Sequence, residues 1–254
     1  MTTALITGGT AGLGRAFADR FAALGYDLVL VARDRQRLDE TAESLRADSG
    51  VQVETLSADL AGDEGCGAVR SRLQEPDRPV DILVNNAGFG LGRSFRAGTL
   101  DDEERLIDVH VRAVLRLTHA ALPGMIERGK GSIINVSSVA AFVPRGTYSA
   151  AKAWTVTFSE SVAAELAGTG VRCMALCPGF THTEFHQRAD VDPAQIPSWM
   201  WLNAPDVVDA AIADLRKGLT VSVPAAKYKL LVGAGRLVPR RLSTRVGRSV
   251  SKRW

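Results

Sequence analysis

Short apolar runs alternate with longer amphipathic stretches along most of the chain. Ala4-Leu5-Ile6, Leu28-Val29-Leu30-Val31 and Ile82-Leu83-Val84 are continuously apolar, the pattern of strands covered on both faces. Strands are predicted at 3–7, 27–32, 51–57, 80–84, 131–137, 170–176 and 220–223. Helical patterns fall near 12–24, 34–48, 63–75, 101–127, 147–168 and 204–217. Such alternation predicts an α/β fold: a doubly wound parallel sheet with helices on both faces and right-handed crossovers. No repeat or low-complexity linker divides it, so residues 1–224 read as one domain. Two segments break the rhythm. Residues 180–203 carry two prolines with Trp199 and Trp201, and a loop of that length in a compact domain reads as a lid or binding segment. Residues 225–254 offer a partial apolar stripe, Leu230, Leu231, Leu237, Val238 and Leu242, interrupted by Pro239. Two short helices are expected there, packed on the same domain or on a partner subunit.

Composition adds bounds rather than detail. With 254 residues, 46% hydrophobic and 23% charged, the chain is an ordinary globular sequence. The first strand is predicted within three residues of Met1, which leaves no room for a secretory leader. No apolar run approaches the roughly 18 residues of a membrane span. A cytoplasmic location is the expectation. Cys66, Cys173 and Cys177 form no even framework and read as reduced, buried thiols. The formal charge of +3 is unevenly spread: every acidic residue lies at or before Asp214, and eleven basic ones follow it. Such a tail is a solvated helical face or a site of weak peripheral membrane contact. It lacks interleaved aromatics and any nucleic-acid-binding module, so nucleic acid is not an expected partner.

The segment Thr7-Gly8-Gly9-Thr10-Ala11-Gly12-Leu13-Gly14 sits where the first strand turns into the first helix. A phosphate needs backbone N–H groups at close range and the positive end of a helix dipole. Gly8 would make the turn, Gly12 would admit a pyrophosphate, and Gly14 would let helix and strand pack closely. The second strand ends Ala32-Arg33, where folds that prefer NAD place an acidic residue on the adenosine ribose. A guanidinium pairs with a 2′-phosphate that a carboxylate would repel, so the expected cofactor is NADP(H). The alternative for Arg33 is a surface pair with Asp34.

Tyr148 and Lys152 are four residues apart in a helical pattern and share one face. A phenol of pKa near 10 exchanges protons poorly at neutrality. A contacting ammonium favours the phenolate by roughly 4 kcal/mol at an effective dielectric of about 20, or about 3 pKa units. Upstream, Ile133-Ile134-Asn135-Val136-Ser137-Ser138 is a strand running into hydroxyls at its C-terminal end, the edge where open parallel sheets bind ligands. Ser138 would bond the substrate oxygen and stabilise developing charge.

At this point the chain resembles the short-chain dehydrogenase/reductase superfamily, over about residues 3–223. The marks are the Thr7–Gly14 loop, Asp59, Asn85-Asn86-Ala87-Gly88, Ser138, Tyr148, Lys152 and Pro178-Gly179-Phe180-Thr181-His182-Thr183. The resemblance implies a Rossmann-like sheet of seven strands in the order 3-2-1-4-5-6-7. It implies a hydride moved between nicotinamide and a carbonyl or alcohol carbon, with Tyr148 as general acid/base. Lys152 would lower the tyrosine pKa and hold the nicotinamide ribose, and Ser138 would orient the substrate. Asp59, with Leu60 beside it, would meet the adenine, and Asn86, Ala87 and Gly88 would line the cofactor groove. Pro178, Gly179, Phe180 and Thr183 would meet the carboxamide. Thr7, Gly8, Thr10, Gly12, Leu13, Gly14 and Arg33 complete the cofactor set. For Asp59 and Asn85 the alternative is a hydrogen-bonding role within their own loops.

Two departures from the family pattern stand out. His110 falls where the family commonly has an asparagine that binds a water relaying protons from the lysine. Histidine exchanges protons near neutrality and could serve in that relay; a packed, non-catalytic His110 is the alternative. Only nine residues separate Ser138 from Tyr148, fewer than the family usually has, which reshapes one wall of the substrate pocket and leaves Ser137 as a fallback. His182 and His186 with Glu184 between them do not form H-E-x-x-H, and no metal is expected. The resemblance implies a homodimer or homotetramer, and the apolar lid with the basic tail suggests an apolar substrate, with an anionic one as the alternative. The competing reading is a dinucleotide-binding regulatory or scaffold protein with little turnover.

Overall fold

A computed structural model describes residues 2–185 and 196–237. Seven parallel strands, β1 (Thr3–Thr7), β2 (Asp27–Ala32), β3 (Val53–Ser57), β4 (Ile82–Asn85), β5 (Gly131–Val136), β6 (Val171–Leu176) and β7 (Val221–Ser222), lie in the order β3-β2-β1-β4-β5-β6-β7. This is the expected order. The chain winds outward from β1 in both directions, so the strand order reverses between β1 and β4, and a crevice opens at their C-terminal ends.

The period of two within each strand divides the core into two layers. Ala4, Ile6, Leu28, Leu30, Ile134 and Met174 face Phe17 and Phe21 of α1 (Gly12–Ala23), Leu38 and Leu45 of α2 (Arg35–Ser49), and Val208 and Ile212 of α7 (Ala204–Arg216). Leu5, Val29, Val31, Leu83, Ile133 and Cys173 face Val69 and Leu73 of α3 (Asp63–Leu73) and Leu117, Ala121 and Met125 of α5 (Ala113–Glu127). Leu166, just past α6 (Gly146–Glu165), joins this second layer. Each fully buried leucine or isoleucine in these layers contributes on the order of 1.5–3 kcal/mol. All three cysteines are buried free thiols, as expected, and burial pushes the Cys173 thiol up to about 12.

Three boundaries differ from the sequence expectation in ways that matter. The helical stretch expected over 101–127 is divided: α4 (Leu100–Ile107) passes into a π-turn at Asp108–Arg112 before α5 begins. Periodicity cannot reveal one wider turn, because the apolar stripe merely rotates. The short segment between Ser138 and Tyr148 is taken up by a 3₁₀ turn, Val139–Phe142, and by Gly146 at φ +61° at the start of α6. The extension forms α8 (Ala226–Leu237); the second helix expected beyond Pro239 lies outside the described residues. No helix among the described residues is long and apolar enough to cross a membrane.

Candidate active site

The turn after β1 is built from backbone. Gly8 and Gly12 hold φ of +66° and +53°, which glycine adopts without strain. Gly8 N donates to Val31 O at 2.7 Å, pinning the turn to the end of β2. A Cβ on Gly14 would lie 2.1 Å from Gly8 O, so only glycine allows α1 to press this closely on the turn. Gly12 faces Thr183, whose Cβ would be 3.1 Å from an added Cβ. The cap of α1 is Ala11, which offers no side-chain oxygen, and no acidic residue stands in the first turn. The helix therefore presents first-turn N–H groups that no side chain caps, beside a turn without side chains, and this fits a pyrophosphate.

Several residues expected at this groove prove to be its struts. The Thr7 hydroxyl donates to Val84 O at 3.3 Å and accepts from Asn86 N and Ala87 N at 2.9 Å each. The Asn86 amide donates to Thr7 O at 2.9 Å and Gly8 O at 3.2 Å. Leu13 packs on the core, and Leu60 is buried in the second layer. Thr10 stands half-buried in the turn itself. Asn85 donates to Thr118 Oγ1 at 3.2 Å and Asn135 Oδ1 at 2.8 Å, and Asn135 donates to Ser159 Oγ at 3.0 Å. This buried network bridges two central strands and two helices; its member Asn135 is a polar residue inside an apolar strand, the only hint the sequence offers.

At the end of β2, Arg33 is exposed. Asp34 does not simply pair with it: its carboxylate caps α2 by accepting from Arg37 N at 3.0 Å. Asp59 accepts from Ala61 N at 3.2 Å and from Arg105 Nη2 at 2.7 Å, so its loop role is realised. Burial works to raise the Asp59 carboxyl, but Arg105, the Ala61 N–H and Arg33 together hold it below the usual range.

The tyrosine centre draws on the ends of β5 and β6, the π-turn and α6. Ser138 follows β5, its Oγ accepting from Ala140 N at 3.1 Å, and it acts on the Tyr148 phenol in the direction that favours the charged form. Ser137 is no substitute: it is buried and donates to Lys152 O at 2.7 Å. Lys152 is also buried; Nζ donates to Val136 O at 2.7 Å and lies 5.7 Å from the centre of the Tyr148 ring. Burial dominates both groups. It pushes Tyr148 up to about 12, only partly offset by Ser138, and Lys152 down to about 7. Desolvation penalises both charged forms, which works against the expectation that Lys152 brings the phenol near neutrality.

His110 lies in the π-turn, buried, its ring edge-on to Tyr148 at 5.5 Å between centroids. Nε2 meets Phe89 N at 3.0 Å and Phe89 O at 2.8 Å, its role set by the tautomer. Nδ1 is buried and has no partner among the described residues. Burial, then the charge of Lys152, hold the imidazole well below 6.5, so it is neutral at physiological pH. A Cβ on Gly88 would sit 2.6 Å from His110 Cε1, which explains the glycine. Phe89, His110, Tyr148 and Phe185 form a continuous run of rings, with successive centroids 5.7, 5.5 and 5.9 Å apart.

The segment after β6 closes the other side. Pro178 O accepts from Val139 N at 3.0 Å, and Thr181 pairs with Leu202 in a short parallel bridge at the base of the lid. Phe180 and His182 both pack on Trp201, at 6.0 and 4.5 Å. His182 is therefore a stacking partner, while His186 lies outside the described residues. No metal-ligand cluster occurs among the described residues. Sequence reasoning missed Tyr228, whose hydroxyl accepts from Phe180 N at 3.0 Å; one tyrosine in a basic tail gives no periodic or motif signal.

Residues 2–193 match the family model of the short chain dehydrogenases. The chain belongs to this family. It is similar to sulfoacetaldehyde reductase 2 of Chromohalobacter salexigens, 40% identical over 186 residues that cover 71% of this chain and 73% of that protein. Among solved structures it resembles a short-chain dehydrogenase from Sphingobium yanoikuyae in complex with NADPH, 38% identical, with a TM-score of 0.85 over 93% of this chain and 94% of that one. It also resembles the bulky-bulky ketone specific alcohol dehydrogenase from Comamonas testosteroni, 31% identical, with a TM-score of 0.81 over 94% and 96% of the two chains. The protein is thus an oxidoreductase of the short-chain dehydrogenase type, and nothing supports the scaffold alternative.

Proposed function

We propose that this oxidoreductase uses NADP(H) to interconvert a carbonyl and an alcohol on a predominantly apolar substrate, with Tyr148 exchanging the proton. The observation that carries the reading is Tyr148 itself, half-buried, with Ser138 acting on its phenol, Lys152 over its ring and the run of aromatic rings around it. Gly8, Gly12 and the uncapped start of α1 take the pyrophosphate, Arg33 takes the 2′-phosphate, and Phe180 and Thr183 meet the nicotinamide end. The bound cofactor supplies or accepts the hydride at the substrate carbon. Tyr148, kept as a neutral phenol, hands its proton to the substrate oxygen, which Ser138 holds. The emerging alkoxide is far more basic than a phenolate, so a phenol near 12 suits the reductive direction. Lys152 then steadies the phenolate across the ring face. His110, neutral and with a buried unpaired nitrogen, serves the proton path as a hydrogen-bonding group rather than as a cation.

The aromatic run supports an apolar substrate, as in the ketone-specific neighbour; the sulfoacetaldehyde relative makes small anionic aldehydes the second class to test. NADPH consumption across bulky ketones and small anionic aldehydes separates them. Turnover must vanish in Tyr148→Phe, by roughly a thousandfold; turnover untouched by that change ends the reading.

The partner surfaces follow the same reading. Ile107 and Leu115 are exposed apolar residues of α4 and α5, and Trp154 and Phe158 stack on α6 at 4.6 Å; they support a homodimer or homotetramer, checked by light scattering. The eleven acid-free basic residues after Asp214 support weak contact with anionic membrane surfaces, which binding to anionic vesicles at low and high salt tests.

A further inference from the structure

Helix α8 reaches back to the cofactor side of the sheet through one side chain. Tyr228 is 2% exposed, and its hydroxyl holds two backbone groups: it accepts from Phe180 N at 3.0 Å and donates to Met200 O at 2.7 Å. Its ring lies flat against Gly179, where a Cβ would be 2.0 Å from Cζ and 2.1 Å from Cε2. The preceding residue, Lys227, donates to Trp201 O at 3.1 Å and also to Trp199 O. Both strands of the lid base are tied to each other as well: Leu202 N donates to Phe180 O at 2.8 Å and His182 N to Leu202 O at 2.9 Å. The helix enters from Ala225 at φ +69°, a conformation unfavourable to alanine, and Tyr228 N closes the first turn on Ala225 O at 3.2 Å. Strain is tolerated where the surroundings fix it, and here it aims Tyr228 into the Gly179 loop.

We propose that Tyr228 is a positioning residue for the nicotinamide end of the cofactor. Its phenol sets the loop Pro178–Thr183 and the lid's return at Met200 in one fixed relation. This rests on the reading that Phe180 and Thr183 meet the nicotinamide. A hydroxyl bonded to both segments transmits any shift of the lid to the nicotinamide seat, and no other described side chain joins Phe180 N to Met200 O. Removing the hydroxyl leaves the ring in place against Gly179 but frees the Phe180 N–H, so the seat loosens without loss of the core.

The experiment compares Tyr228→Phe, Phe180→Ala and the parent protein. Binding of NADPH is measured beside binding of 2′,5′-ADP, a fragment with the phosphates of the adenosine half and no nicotinamide. Tyr228→Phe is expected to weaken NADPH roughly tenfold, to leave 2′,5′-ADP within twofold, and to enlarge the deuterium isotope effect on kcat with 4-deuterated NADPH. A purely structural tyrosine would weaken both ligands alike or neither, and either result overturns the proposal. If Phe180→Ala weakens NADPH while Tyr228→Phe is silent, the positioning role falls and the site stands. If Phe180→Ala is silent too, the loop is not at the nicotinamide and both fall.

Discussion

Along one edge of the sheet, the turn after β1 is made of backbone while the centre around Tyr148 is made of side chains. At the turn, three glycines remove side chains, α1 offers uncapped N–H groups, and Gly8 N is fixed on Val31 O. Apart from the anchor on β2, every feature follows from residues within one strand–helix unit. At the centre, Ser138 follows β5, His110 comes from the π-turn, Tyr148 and Lys152 from α6, and Phe185 from the lid. Its chemistry depends on burial that no single element supplies. The difference teaches that a phosphate is recognised by local geometry, whereas proton exchange depends on how much water the surrounding elements exclude.

Substitution at Arg33 tests the local end most severely. Arg33→Ala is expected to lower kcat/KM with NADPH by roughly thirtyfold while leaving NADH within threefold, since a charge-assisted bond contributes about 1.5–3 kcal/mol. Equal values with the two cofactors in the parent protein would show that the 2′-phosphate is not recognised at all.

The assembled end is tested at His110. His110→Ala opens a hole beside Tyr148 and removes the Phe89 bond; kcat is expected to fall about tenfold with the KM for NADPH little changed. His110→Asn keeps a polar group and is expected to recover part of kcat. If alanine and asparagine are equally impaired, His110 acts by packing alone.

The smallest expected effect is a pH dependence. Folded Lys152 gives up its proton near 7, whereas an unfolded lysine keeps it to 10.5. Between those values the unfolded chain binds the extra proton, so stability rises with pH across that window. His110 works in the same sense below 6.5, and Tyr148, raised to about 12 from 10.0, costs stability only above 10.0. The Tm of the cofactor-free protein should climb by a few degrees from pH 7 to 9. Lys152→Met should flatten the slope; an unchanged slope would place the titrating group elsewhere.

Much of this was legible beforehand because it is written in local pattern. Continuous apolar runs such as Leu28–Val31 marked buried parallel strands, and the glycines after Thr7 marked the turn proposed to take the pyrophosphate. Tyr148 and Lys152 were visible by their helical spacing. The π-turn at Asp108–Arg112 was not, since one added residue per turn leaves composition unchanged. Ser138 was the reading with Ser137 as its fallback, and only the structure shows that the Ser137 hydroxyl is engaged by Lys152 O. Leu60 and Thr7 sit inside the motif yet turn inward, because motif spacing fixes the backbone path and not the direction of each side chain.

What the sequence determined by itself, therefore, is the winding of the sheet, the glycine turn, the cation at the end of β2 and the tyrosine–lysine face, all properties of neighbours along the chain. Only the tertiary structure decided the state of that face. It set Lys152 Nζ on Val136 O and over the Tyr148 ring, left His110 neutral with a buried nitrogen that has no partner among the described residues, and brought Tyr228 from the far end of the chain onto Phe180. These depend on desolvation and on contacts between residues tens of positions apart, and such quantities exist only once the layers have closed.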